Sequence, residues 1–322
     1  MSIVPRKSLA RTGGVGHSGE VTNALTLRPA APSDAPALLN LIVATNLAER
    51  GEPDCTLQDV LDEWARPSYR AWLFEDGDGA VTGAITVEKM AGEAAIEASV
   101  IAYPGRGDTL IPSLLEAALA TARELDPASP VHIFTDSSRV PLRSALEAAG
   151  GQVVRVFLRM LGDISAASAP VDLPDGVQIR AVRQDSPEDL RAMYDVLNTA
   201  FLDHFGNEAA SFEDWVDMRS SVGIADRSLW WLAFVDAAPA AGLIGRLNPT
   251  RGWVQEIGTL SAYRGRGLGR MLLLSAFAEF RARGFNQAGL GVDSTNPTGA
   301  VGLYESVGLR RTNEWTCYEF TP

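Results

Sequence analysis

Residues 253–270 read WVQEIGTLSAYRGRGLGR, from Trp253 to Arg270. A strand runs directly into glycines at 265, 267 and 269, and a helix follows. Glycine lets a backbone turn tightly and lie close to a ligand. The following helix N-terminus presents unpaired N–H groups and a partial positive charge, a combination that suits phosphate or pyrophosphate. Arg264, Arg266 and Arg270 add charge at the rim. No Gly-Lys-Ser/Thr follows, so the Walker pattern is absent. A dinucleotide fingerprint belongs early in a parallel unit with an acid about 20 residues on. Here the segment lies late, after three antiparallel-type strands, and Glu279 falls inside the helix. Taken alone, the loop is also compatible with a tight turn that binds nothing.

Outward from this segment, the pattern predicts strand 177–182, helices 187–200 and 211–220, and strands 229–235, 240–247 and 252–260. Helix 268–283, strand 287–292, helix 297–307 and strand 313–320 follow, with a loop over 201–210. Leu273, Phe277 and Phe280 form an apolar stripe on helix 268–283, with Arg270, Arg281 and Arg283 off it. Gly289 and Gly291 alternate along their strand, which either bares one face to a ligand or leaves it poorly packed. The order predicts an α/β (α+β) fold with a mixed, mostly antiparallel sheet flanked by helices.

The same order recurs about 152–160 residues earlier. Leu27-Arg28-Pro29 with Ser33-Asp34 matches Ile179-Arg180-Ala181 with Ser186-Pro187, and Ala71–Phe74 matches Trp231–Phe234. Tyr103-Pro104-Gly105-Arg106-Gly107 matches Tyr263-Arg264-Gly265-Arg266-Gly267, and Leu146-Glu147 with Gly150 matches Tyr304-Glu305 with Gly308. A repeat this long means two related domains. The expected division is a disordered tail 1–24, a degenerate domain 25–161, an Ala/Ser/Pro/Asp-rich linker 162–176 and a second domain 177–322. In the first copy Pro104 replaces the arginine, Asp108 stands at the place of Leu268, Thr109 replaces the third glycine and Leu146 stands for Tyr304. The second copy alone keeps the full loop.

The 322 residues carry a net charge of −12. Residues 1–175 hold 14 Lys+Arg against 23 Asp+Glu, and residues 176–322 hold 14 against 17. That balance excludes a general nucleic-acid-binding face and leaves the second copy nearly neutral for a polyanionic ligand. No apolar run approaches the roughly 18–20 residues of a membrane span, and the tail lacks a signal-peptide stretch, so a cytoplasmic protein is expected. Two cysteines, Cys55 and Cys317, and three histidines predict neither a disulfide framework nor a metal site.

Arg264-Gly-Arg-Gly267-Leu-Gly269 resembles the Arg/Gln-x-x-Gly-x-Gly/Ala motif of the GNAT superfamily of N-acetyltransferases. Asn296 and Leu303-Tyr304-Glu305-Ser306-Val307-Gly308-Leu309 resemble that superfamily's second block. The resemblance covers about 177–320 well and 25–160 weakly. The tandem arrangement is similar to that of the mycothiol synthases. The chain departs from them where Gly245-Arg246-Leu247-Asn248 stands in place of their His-Trp-Thr segment, and Trp253 where their strand Glu would align.

The resemblance implies two tandem GNAT-type domains, with catalysis in the second copy alone, and acetyl-CoA as co-substrate, held between the fourth and fifth strands of that copy. It implies that Gly258, Thr259 and Leu260 pair with the pantetheine arm. The loop from Arg264 through Gly265, Arg266, Gly267, Leu268 and Gly269 to Arg270 would hold the pyrophosphate, and Asn296 the coenzyme arm. Tyr304 would protonate the departing thiolate. For the base, Glu256 is the acid on the fourth strand, and His204 lies in the acceptor-side loop. Each has a bland reading: a core tyrosine, an Asn-Pro helix cap at Asn296, a structural ion pair for Glu256, a packed histidine. The expected activity is acetyl transfer to a primary amine of a small molecule in a ternary complex, by a monomer or homodimer with no metal, nucleic-acid or membrane partner. The alternatives are acetylation of a cysteinyl sugar, as in the mycothiol synthases, and a non-catalytic acyl-CoA-binding regulatory protein.

Overall fold

The computed structural model describes residues 27–90, 93–166, 173–202, 211–220, 226–296 and 299–322. The first run of elements is β1 (Leu27–Pro29), α1 (Ala35–Arg50), α2 (Leu57–Ala65), β2 (Arg70–Glu75), β3 (Val81–Glu88) and β4 (Ile96–Ala102). It continues with α3 (Ile111–Leu125), β5 (Val131–Asp136), α4 (Val140–Ala148) and β6 (Gln152–Asp163). The second run repeats that order: β7 (Val177–Ala181), α5 (Pro187–Phe201), α6 (Phe212–Ser220), β8 (Trp230–Val235), β9 (Ala238–Asn248) and β10 (Arg251–Thr259). Then come α7 (Leu268–Ala282), β11 (Gln287–Asp293), α8 (Ala300–Ser306) and β12 (Arg310–Phe320).

Local chemistry sets the ends of these elements. Ser186 caps α5 by accepting from the Asp189 amide, with Pro187 at the first helical position. Asp189 is held by Arg180 at 2.6 and 2.8 Å and by Arg183 at 2.9 and 3.0 Å. Those bonds keep its carboxyl well below the usual carboxylate range. The first run repeats the device with Arg28 on Asp34, both contacts at 2.8 Å.

All twelve strands join one sheet in the order β1-β2-β3-β4-β5-β12-β6-β11-β10-β9-β8-β7. β4 and β5 pair in parallel, as do β10 and β11, and the other pairs are antiparallel. The sheet is mixed and mostly antiparallel, as the element order implies, but it is continuous across the two runs. The last strands are exchanged: β6 pairs with β11 and β12 pairs with β5, and the two meet along the centre. Residues 162 and 163, assigned to a linker from composition, complete β6. Helices α1, α2, α5 and α6 cover one face, and α3, α4, α7 and α8 the other.

The core of the second run centres on Leu272, Leu273, Phe277 and Phe280 of α7, packed on Ala288 and Leu290. Gly252 makes this approach possible, since a Cβ there would lie 2.1 Å from the Phe280 ring. Trp230, Trp231 and Trp253 are buried core residues.

An ion network ties the runs together. Glu52 and Asp54, between α1 and α2, meet the buried Arg159 of β6 at 3.2 and 3.4 Å. Glu52 also pairs with the fully buried Arg251 of β10. Asn248 donates to Asp54 at 2.7 Å, and Arg246 faces Asp59 at 3.6 Å. The residues that stand in place of the His-Trp-Thr segment thus bind the acidic first run.

Candidate active site

β10 pairs with β11 only through Gly252–Val254, against Ala288–Leu290. A bulge then falls between Val254 and Glu256, leaving Gln255 without a β9 partner. A bulge bends a strand and sharpens its twist. Beyond it β10 stays paired to β9 as far as Thr259, while β11 runs on to Asp293, so the two strands diverge. The gap is a cavity of about 440 Å³. The Leu260 amide donates to the Ala240 carbonyl on the β9 side. By strand alternation the main-chain groups of Ile257 and Thr259 therefore face the open gap.

The mouth of the gap is the glycine loop. Gly265 (φ 76) and Gly267 (φ 77) adopt the left-handed conformation that side chains disfavour. Gly267 is also the residue that opens α7. A Cβ at Gly265 would meet nothing within 4 Å, so open space lies beside the loop. Gly269 serves packing, since a Cβ there would lie 3.1 Å from Leu303 of α8. Arg264 and Arg270 line the rim, and the Arg264 Nε donates to the Thr259 carbonyl at 3.2 Å. Arg266 stacks over Tyr263, 5.5 Å from its centroid.

The cavity brings together Glu256, Gly258, Thr259, Arg264, Gly265, Gly267, Leu268, Gly269, Arg270, Asn296 and Tyr304. Leu260 and Arg266 are not among its lining residues, and Leu260 borders a separate depression with Pro187 and Pro239. Gly258 lies against α5, where a Cβ would sit 2.8 Å from Ala200, so this glycine admits the helix. His204 lies outside the described residues, as do the neighbouring Asp203 and Glu208. α8 begins at Ala300, behind Gly299 in the left-handed conformation, and residues 297 and 298, on which the Asn-Pro cap reading falls, lie outside the described residues. The bare strand face is half filled, because Trp253 and Leu161 pack where a Gly289 side chain would stand, while Gly291 lines the gap.

Tyr304 is 6% exposed and reaches the cavity from α8. Burial pushes its hydroxyl up to about 12, so it keeps its proton at neutral pH. No hydrogen bond to that hydroxyl occurs among the described residues, which leaves the donor for a ligand. Glu256 is ion-paired with Arg219 of α6 at 2.5 Å, and Arg219 in turn lies over the Trp215 ring at 4.2 Å.

Two contributors were missed in the sequence reading. Phe157 lines the cavity from β6, and strand exchange is what carries it there. Arg219 closes on Glu256 from a helix whose loop neighbours gave no signal. Gln255 did leave a trace: Gln255-Glu256 breaks the alternation expected of a strand, as a bulge does. The lining includes no cysteine, serine, histidine or lysine among the described residues. Those residues also contain no cluster suited to a metal ion and no helix long and apolar enough to cross a membrane.

Residues 190–309 match the Acetyltransferase (GNAT) family. A mycothiol acetyltransferase of Thermobispora bispora is 29% identical over 307 residues, covering 88% of this chain and 94% of the relative. One of Gordonia bronchialis is 30% identical, covering 80% of this chain and 93% of the relative. Among solved structures, a GCN5-related N-acetyltransferase from Sphaerobacter thermophilus superposes with a TM-score of 0.76 at 25% identity, covering 94% of this chain and 97% of that one. A tandem GNAT protein from the clavulanic acid biosynthesis pathway shares the fold, with a TM-score of 0.70 at 17% identity over 92% of this chain and 98% of its own.

Proposed function

The chain belongs to the GNAT acetyltransferase family, and from that premise we propose that it transfers the acetyl group of acetyl-CoA directly to the primary amine of a small molecule in the gap between β10 and β11. The observation that carries this reading is the juxtaposition of an unpaired β10 edge, an open glycine loop at the start of α7 and a protonated Tyr304 hydroxyl, unbonded among the described residues, in one cavity. The fit to the coenzyme is chemical. The Ile257 and Thr259 main-chain groups offer hydrogen bonds to the amides of a pantetheine arm. Amides around Gly265–Gly269, at a helix N-terminus, offer donors to a pyrophosphate. Arg264 and Arg270 supply countercharge, and the exposed Arg264 swings off the Thr259 carbonyl as the arm pairs there.

Acetyl-CoA supplies an activated thioester whose carbonyl carbon takes the amine nitrogen as the C–S bond breaks. Tyr304 holds the proton that the departing sulfur needs. Glu256, oriented by Arg219, is the carboxylate placed to accept the amine's proton, directly or through water. The absence of a nucleophilic cysteine or serine from the described lining supports direct transfer over an acetylated enzyme. The family is one of acetyltransferases, so a non-catalytic binding protein does not stand beside this reading.

The named relatives favour one acceptor above others: the amine of a cysteinyl sugar of the mycothiol kind. Free-thiol release from acetyl-CoA, followed across a panel of small amines that includes such a sugar, tests both statements. Release with an amine and no acetylated protein by mass spectrometry is the expected result. Release that depends on a covalent acetyl-enzyme refutes direct transfer, and turnover confined to other amines refutes the cysteinyl-sugar assignment.

A further inference from the structure

The first run contains the same splayed strand pair. β4 and β5 pair only through Ile96–Ala98, against Val131–Ile133, and β4 then runs on to Ala102. Ala102 and Thr259 end their strands, and Ile111 and Leu268 begin the next helices, each pair 157 residues apart. At that spacing Val100 and Ala102 correspond to Ile257 and Thr259. The Tyr103 amide, like that of Leu260, donates away from the gap, here to Thr82. The glycine match read from sequence is out of step with this frame by three residues. Asp108, Leu110 and Pro112 stand where Gly265, Gly267 and Gly269 stand.

Two side chains occupy the positions a coenzyme would take. Arg139, at the position of Asn296, donates from Nη1 to the Val100 carbonyl at 3.1 Å and from Nη2 to the Ala102 carbonyl at 3.3 Å. Its Nε lies 3.4 Å from Glu49 of α1, and both side chains are nearly buried. The Asp108 carboxylate accepts from the Gly105 amide at 3.2 Å, placing a fixed negative charge in the loop. The contrast with the second copy is specific: Arg264 is exposed and holds one carbonyl, while Arg139 is nearly buried, anchored by a carboxylate and holds two.

We infer that the cleft between β4 and β5 is a coenzyme track sealed by the chain's own Arg139, so that each chain binds one CoA, in the second copy. The guanidinium satisfies the two carbonyls that a pantetheine amide would otherwise pair with, and burial with Glu49 keeps it there. This inference rests on the coenzyme assignment of the β10–β11 gap, and the following test separates the two. Amide hydrogen exchange by mass spectrometry is recorded on the full chain with and without CoA. The expected result is protection of 257–260 and 264–270, with none at 100–103. Protection at 100–103 as well overturns the seal, whereas no protection at 257–260 overturns the coenzyme assignment instead. The same measurement with millimolar pantetheine on Arg139→Ala, after checking that its circular dichroism matches the parent, gives the second arm. New protection at 100–103 in the variant alone supports Arg139 as the plug, and its absence in a folded variant refutes that role.

Discussion

Tyr304→Phe separates chemistry from stability because the hydroxyl it removes has no partner among the described residues. A hydroxyl that opens to the cavity and bonds no described protein group adds little to folding. The variant is therefore expected to be as stable as the parent, within about 1 kcal/mol, in urea unfolding. A general acid contributes about 10²–10⁴-fold to rate, or about 2.7–5.5 kcal/mol at 1.36 kcal/mol per decade. Thiol-release kinetics should show kcat falling by that factor with CoA affinity unchanged. Because burial pushes the Tyr304 hydroxyl up to about 12, the parent holds its proton across pH 6–10. The loss should therefore be about the same throughout that range. A kcat within about threefold of the parent refutes the acid role. A fall in stability of 2 kcal/mol or more shows instead that the hydroxyl is a structural donor.

Gly252→Ala sets a Cβ 2.1 Å from the Phe280 ring and should cost about 1–3 kcal/mol, read from the urea midpoint. Glu52→Gln leaves the buried Arg251 and Arg159 short of a carboxylate and should cost about 3 kcal/mol. Loss of cleft geometry should accompany it, seen as a raised KM. Asp189 is held below the usual carboxylate range by Arg180 and Arg183, so its stabilisation is present above the unfolded value of about 4 and is lost as pH falls below it. The stability gap between the parent and Asp189→Asn should shrink on going from pH 6 to pH 3. A gap that widens contradicts the assignment.

Much of the second run was legible because local signals agree there. The Ser186-Pro187 cap starts α5 and the Leu273/Phe277/Phe280 stripe carries α7, both within a residue or two of the expected bounds. The glycine loop and Tyr304, which line one cavity, stood out for the same reason: each is marked by a pattern of residues close in sequence. The exchange of β6 and β12 was not, because each reads as an ordinary strand and its neighbour is chosen by tertiary packing. Phe157 in the cavity follows from that exchange. The Tyr-x-Gly-Arg-Gly match misled in detail, since identical letters three residues out of frame place glycines where the helix start has no use for them. Part of the excess acid of the first run has a structural use: Glu52, Asp54 and Asp59 meet arginines and Asn248 of the exchanged and second-run strands.

A crystal structure of the full chain with CoA tests the central claim most directly. The account predicts coenzyme density in the gap between β10 and β11, its pantetheine arm along Ile257 and Thr259 and its pyrophosphate over Gly265–Gly269, with the sulfur near the Tyr304 hydroxyl. Coenzyme density elsewhere on the molecule, or an arm that avoids that strand edge and leaves Tyr304 remote from the sulfur, contradicts it.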